Sequence, residues 1–167
     1  GQDFNRSPMA SALYQEVAGK YLQFGEIYHK VGNTKQTCEA IREKYGDHNI
    51  IFNPDATGNR KTSNSSKSDF DIIRSFGFFI ESEKINPRRV DRWASVNNAY
   101  EKGLVKINVK NCPVTTKDRE NLCYKEGSCE PDTKDPWAGH MSDAADYPIA
   151  RRFPICITRK SEVVKYA

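Results

Sequence analysis

The chain has 167 residues, a formal net charge of +4 and 37% hydrophobic residues, with a mean hydropathy of −0.76 and a pI near 8.8. That length suits one ordinary domain with a core of its own, and the mild basicity permits a polyanionic partner without establishing one. No apolar run approaches a membrane span and no signal-peptide pattern is present, so no membrane partner is expected. The five cysteines are odd in number and form no C-x-x-C pair, which favours reduced thiols over a disulfide framework or a zinc site. The chain starts at Gly1 without a methionine, and the expectation is a piece excised from a longer polypeptide.

Gly1 to Asn5 reads as the tail of a strand ending in an acid, Asp3. Ala10 to Ala18 alternates as a second strand, Gly19-Lys20 turns the chain, and Tyr21 to Tyr28 alternates as a third, giving an antiparallel meander. Asn33-Thr34 offers an N-cap for a helix over 35–45, with Thr37, Ala40, Ile41 and Tyr45 on one stripe, and Gly46 ends it. Ile50 to Phe52 predicts a buried strand closed by Asn53-Pro54, with Asp55 just beyond. The polar, cationic run over 57–68 predicts a surface loop. A short helix over 69–76 then stops at Gly77, and Phe78 to Ile80 forms a strand.

Asn86-Pro87 opens a helix to about Lys102, its stripe drawn through Val90, Trp93, Ala94, Asn97 and Tyr100. Leu104 to Val109 predicts a strand, Thr115-Thr116 caps a helix through Cys123, and 125–136 reads as loop. A last helix runs from His140 to about Arg152. Three meander strands, then a helix and a strand able to lie parallel to the first, describe a mixed α/β sheet with the element order of the RNase H-like fold. The chain is expected to be a single domain of that kind.

Three acids come from three elements. If the strands ending at Asp3 and Asp55 pair in parallel, their C-terminal ends are neighbours, where α/β sheets place their chemistry. Asp143 lies in His140-Met-Ser-Asp143-Ala-Ala-Asp146-Tyr147, on a helix whose Ala144 and Ala145 permit close packing on the sheet. Two strand-end carboxylates and a helix carboxylate suit hard divalent cations with oxygen ligands and retained waters. Unpaired, they would repel and raise at least one pKa. Two such cations roughly 3.5–4 Å apart activate water and support the leaving oxygen in phosphodiester cleavage. His140, three residues before Asp143, shares its side of the helix as a ligand, a proton shuttle or a structural histidine. Asp146 either assists or is a solvated helix acid, and Asp55 alone also reads as an Asx-turn.

Taken in order, these phrases resemble the C-terminal nuclease domain of tailed-bacteriophage large terminase subunits. Gly1-Gln-Asp3-Phe4-Asn5 resembles that family's G-x-D-F-N start. Asn33-Thr34 and Asn53-Pro-Asp55-Ala-Thr-Gly58 resemble its next two landmarks. Gly77-Phe78, Asn86-Pro87-Arg88-Arg89-Val90-Asp91-Arg92 and Val96-Asn97 continue its order, and His140 to Tyr147 resembles its closing H-x-S-D-A-x-x-Y. The likeness spans nearly the whole chain and is specific as an ordered combination.

It implies an RNase H-like, metal-dependent endonuclease that cuts concatemeric viral DNA during packaging in the host bacterial cytoplasm. Two Mg²⁺ or Mn²⁺ ions would be held by Asp3, Asp55 and Asp143, leaving 5′-phosphate and 3′-hydroxyl ends. The family's ATPase domain lies upstream, and this chain has no G-x-x-x-x-G-K-[ST]. Double-stranded DNA, that ATPase, a small terminase subunit and a portal are the implied partners. Asp146, uncharged in many members, departs from the pattern and leaves open which helix acid binds the second ion.

Because the site is acidic, DNA must be held by cations around it. Arg60 and Lys61 follow Asp55 closely; Arg88, Arg89 and Arg92 cluster at a helix start; Arg151-Arg152 ends the last helix. Each group also reads as solvated or dipole-complementing charge. Phosphate contacts carry no sequence information, so a weak sequence preference is expected. Two alternatives stand: another RNase H-like enzyme, a resolvase or an RNase H, or a non-catalytic DNA-binding or motor-docking module. An RNase H adds a helix-borne glutamate after the third strand, where this chain offers only Glu39 and Glu43.

Overall fold

The structure is a computed structural model, and it describes residues 1–5, 7–60, 67–128, 130, 132 and 137–155, with the backbone of 164–166. In chain order its elements are β1 (Gln2–Asp3), β2 (Met9–Val17), β3 (Lys20–His29), α1 (Thr34–Tyr45), β4 (Ile51–Phe52), α2 (Asp69–Ser75) and β5 (Phe79–Ser82). Then come α3 (Arg89–Glu101), β6 (Val105–Ile107), α4 (Pro113–Asn121), α5 (His140–Arg152) and β7 (Val164–Tyr166). A 3-10 turn over Ala56–Asn59 follows Asp55.

The meander forms as expected. β1 pairs antiparallel with β2, and β2 with β3 in a hairpin whose turn places Ala18 at φ 49° and Gly19 at φ 75°. That left-handed pair is why a glycine stands there. β6 adds parallel to β3, giving the order β1-β2-β3-β6. β4 and β5 pair in parallel, and β7 adds antiparallel to β5.

The two sheets meet through β1. Gln2 bridges Pro54 in parallel, and the Asp55 amide donates to the Gln2 carbonyl at 3.2 Å. The strand ends carrying Asp3 and Asp55 are therefore neighbours, as the parallel arrangement requires. Gly58 lets this join close, because a Cβ there would stand 2.8 Å from Phe4 Cζ and nearer still to the ring edge.

Both sheets are covered. α1 starts at a capping box, Asn33 with Gln36, and packs Cys38 and Ile41 with Phe52, Phe70, Ile73, Phe78 and Ile80. α5 lies on β2, with Met141, Ala144 and Ala145 against Ala10 and Ala12; small side chains on both elements permit the approach. Val96 and Ala99 of α3 pack with Val105 and Ile149.

Four details differ from the sequence reading. In β4 only Phe52 is buried, while Ile51 is 50% exposed because it sits on the open face opposite Phe79. In α3 the buried stripe is Arg92, Ser95, Val96 and Ala99, with Val90, Ala94 and Asn97 exposed, so the helix turns a charged residue inward. α4 begins at Pro113 and its first turn contains Thr115, where caps were expected. The short strand β7 falls after the last helix, in a stretch to which the sequence reading assigned no element.

Candidate active site

Asp3 is the last residue of β1 and is 6% exposed. Its Oδ2 accepts from Asn5 Nδ2 at 2.8 Å and lies 2.9 Å from His140 Nδ1. Asn5 Nδ2 is also 3.0 Å from that ring nitrogen, so acid, amide and imidazole form one cluster. Asp55 is 5% exposed and caps the 3-10 turn, its Oδ1 accepting from the Thr57 amide at 2.6 Å and from the Thr57 hydroxyl. Asn86 Oδ1 accepts from the Ala56 amide at 2.7 Å and ties the Asp55 loop to the stretch before α3. The Asx-turn expected of Asp55 thus exists, on a residue whose backbone adjoins β1.

The third acid stands on the first turn of α5. Asp143 pairs with the Arg92 guanidinium, which is 4% exposed and lies 4.6 Å over the Tyr147 ring. Burial pushes the Asp143 carboxyl above its ordinary value; Arg92 opposes this, and Asp146 and Asp3 add to it. For Arg92 burial works downward, but Asp143, Tyr147 and Asp146 outweigh it and hold the guanidinium charged. Burial also raises Tyr147, and the carboxylates of Asp55, Asp143 and Asp3 all act on its phenol.

Asp146 faces the other way. It is wholly buried, its Oδ1 2.5 Å from Arg119 and its Oδ2 3.8 Å from Arg92 Nε. Asp143 is thus the helix acid paired with Arg92, and Asp146 is directed at Arg119.

The cations divide in the same way. Arg60, Arg88 and Arg89 are exposed, Arg88 near Asp91 at 3.9 Å and Arg89 over the Trp93 ring at 6.0 Å. Arg92 departs from the surface role expected of it: it is buried and committed to carboxylates, because α3 turns that face to α5. Lys61 lies outside the described residues. Arg151 bonds Asn53 at 2.6 Å and the Glu81 carbonyl, and Arg152 pairs with Glu16 at 2.9 Å.

The donor set fits hard divalent cations in kind. Asp3, Asp55 and Asp143 each present one carboxylate oxygen that takes no hydrogen bond or ion pair from the described residues, while the other is held by the protein. In spacing the fit is incomplete: among the described residues no group of three His, Cys, Asp or Glu side chains stands close enough to hold a metal ion. Asp143 is held instead by the Arg92 guanidinium.

The sequence reading missed Asn5, Thr57, Asn86, Tyr147 and Arg119. Asn86 and Tyr147 fell within motifs already marked, and Asn5 within two positions of an acid. Nothing local distinguishes Arg119.

Fold and site together define an RNase H-like α/β domain, a mixed sheet flanked by five described helices with acids at its parallel strand ends. No protein-family model and no curated protein matches the sequence. Among solved structures the chain is similar to the large terminase of a thermophilic bacteriophage. The identity is 17% over 90% of this chain and 38% of that one, with a TM-score of 0.68. That same terminase in complex with ATP-gamma-S gives a TM-score of 0.69 at 17% identity, over 89% of this chain and 38% of that one. The large terminase nuclease domain of bacteriophage SPP1 with bound Mn is 21% identical over 91% of this chain and 84% of that one, with a TM-score of 0.56. The fold is terminase-like, and the chain spans about 38% of the length of the thermophilic phage protein it matches.

Proposed function

We propose that this chain is a metal-dependent DNA endonuclease domain of a phage large terminase, cutting concatemeric viral DNA during genome packaging in the host bacterial cytoplasm. The observation that carries the reading is the meeting of Asp3 and Asp55 at adjacent parallel strand ends, with His140 of α5, three residues before Asp143, against Asp3. The likeness to an Mn-bound terminase nuclease domain supports it. Two divalent cations, Mg²⁺ or Mn²⁺, held by Asp3, Asp55 and Asp143 would supply water activation and charge neutralisation at the leaving oxygen.

The chain's own residues do the rest. His140 and Asn5 hold the Asp3 carboxylate so that one oxygen points away from both. His140, beside that carboxylate, is placed to move a proton at its imidazole. Thr57 and Asn86 fix the Asp55 loop, and exposed Arg60, Arg88 and Arg89, with Lys61, hold the phosphates. An upstream ATPase domain, a small terminase subunit and a portal are the partners this reading entails.

One observation favours the non-catalytic alternative: Arg92 already neutralises Asp143. The deciding experiment is cleavage of supercoiled plasmid and of an RNA–DNA hybrid in Mn²⁺, Mg²⁺ or EDTA. Metal-dependent linearisation of duplex DNA is expected. Preference for the hybrid points to an RNase H, and silence on both with no Mn²⁺ binding points to a docking module.

A further inference from the structure

Three helices of this domain begin without a side-chain cap from their own N-cap residue: α3 after Arg88, α4 after Cys112 and α5 after Gly139. α4 and α5 are capped instead by a carboxylate from elsewhere in the fold. Glu26 of β3 accepts from the amides of Val114 at 2.7 Å and Thr115 at 2.9 Å, and from the Thr115 hydroxyl at 2.8 Å. Asp118 of α4 accepts through one oxygen from the amides of Gly139 and Ser142, both at 3.1 Å. The first-turn amides of α5 would otherwise be orphan donors, and Ser142 is fully buried, so no water reaches it. A carboxylate at this end also complements the helix dipole.

The two caps form a brace that runs from β3 through α4 to the turn holding His140 and Asp143. We propose that Asp118 is a positioning residue for the acid site: by fixing the first turn of α5 it sets His140 against Asp3 and Asp143 against the strand ends. This rests on the nuclease reading for its consequence, but the placement of His140 is a property of the protein without DNA or metal. Asp118 touches no reacting atom. It is 7% exposed, and burial raises its carboxyl against the pull of the Ser142, Gly139 and Met141 amides.

The test compares wild type with Asp118→Ala, Asp118→Asn and Ile73→Val, the last a core change in the other layer that lowers stability without touching α5. The first readout is the nuclear Overhauser contact between the His140 ring and the Asn5 side chain, without metal or DNA. It is expected to disappear in Asp118→Ala, to return in Asp118→Asn, which keeps an acceptor, and to persist in Ile73→Val. The second readout is plasmid cleavage against Mn²⁺ concentration. The Mn²⁺ midpoint is expected to rise about tenfold in Asp118→Ala, with the DNA KM within about twofold of wild type, as for other groups that orient metal ligands. A preserved contact in folded Asp118→Ala overturns the proposal, as does an Mn²⁺ response like that of Ile73→Val. A wild type that never cleaves overturns the nuclease reading, and the contact alone then decides the role of Asp118.

Discussion

Arg119 and Asp146 give the sharpest prediction about the interior. The carboxylate is wholly buried, the guanidinium side chain is 22% exposed, and they meet at 2.5 Å with Arg119 5.4 Å from the Tyr100 ring. Burial pushes Asp146 up and lowers Arg119, yet the carboxylate outweighs burial on Arg119 and holds it charged. Arg119→Met leaves Asp146 buried with the longer contact to Arg92 and the Trp93 side chain as its remaining partners. Breaking a buried pair from one side costs about 3–5 kcal/mol. In a chain of this length that lowers Tm by roughly 6–20 °C. Asp146→Ala costs less, because Arg119 keeps a path to solvent. The double variant, with no charge stranded, recovers about 2–3 kcal/mol relative to the sum of the singles. Urea unfolding followed by circular dichroism at pH 7 measures all four corners. Additivity within about 0.5 kcal/mol would refute the pairing.

One further outcome follows from the site and its surroundings. Arg92→Gln strands Asp143 and weakens the neighbourhood of Asp146, so the variant melts lower than wild type in EDTA; saturating Mn²⁺ restores more of its Tm than it adds to wild type, read by differential scanning fluorimetry. Equal Mn²⁺ shifts in both proteins would show that Arg92 does not stand in for a cation.

What the sequence revealed depended on how local each signal is. The meander, the N-cap at Asn33 and the turn at Gly19 are written in consecutive residues, and the structure repeats them. Asp3 and Asp55 were legible as acids closing short strands, and Asp143 as the acid in a helix motif rich in small residues. The inward turn of Arg92 was not legible, because the charged start of α3 reads as a solvated cluster until α5 is laid against it. The same holds for the trans caps. Glu26 and Val114 are 88 positions apart, and Asp118 and Ser142 are 24 apart, separations at which no helical or strand periodicity operates. Asp146 was ambiguous for a related reason, since the cation that claims it lies on α4.

The most direct test of the central claim is cleavage of supercoiled plasmid by the wild-type chain and by Asp55→Asn, in parallel with Mn²⁺, Mg²⁺ and EDTA. The account predicts nicking and linearisation that require a divalent cation and fall at least about a hundredfold in Asp55→Asn, while the variant keeps its fold. Equal cleavage by the two proteins, or cleavage that survives EDTA, would contradict it.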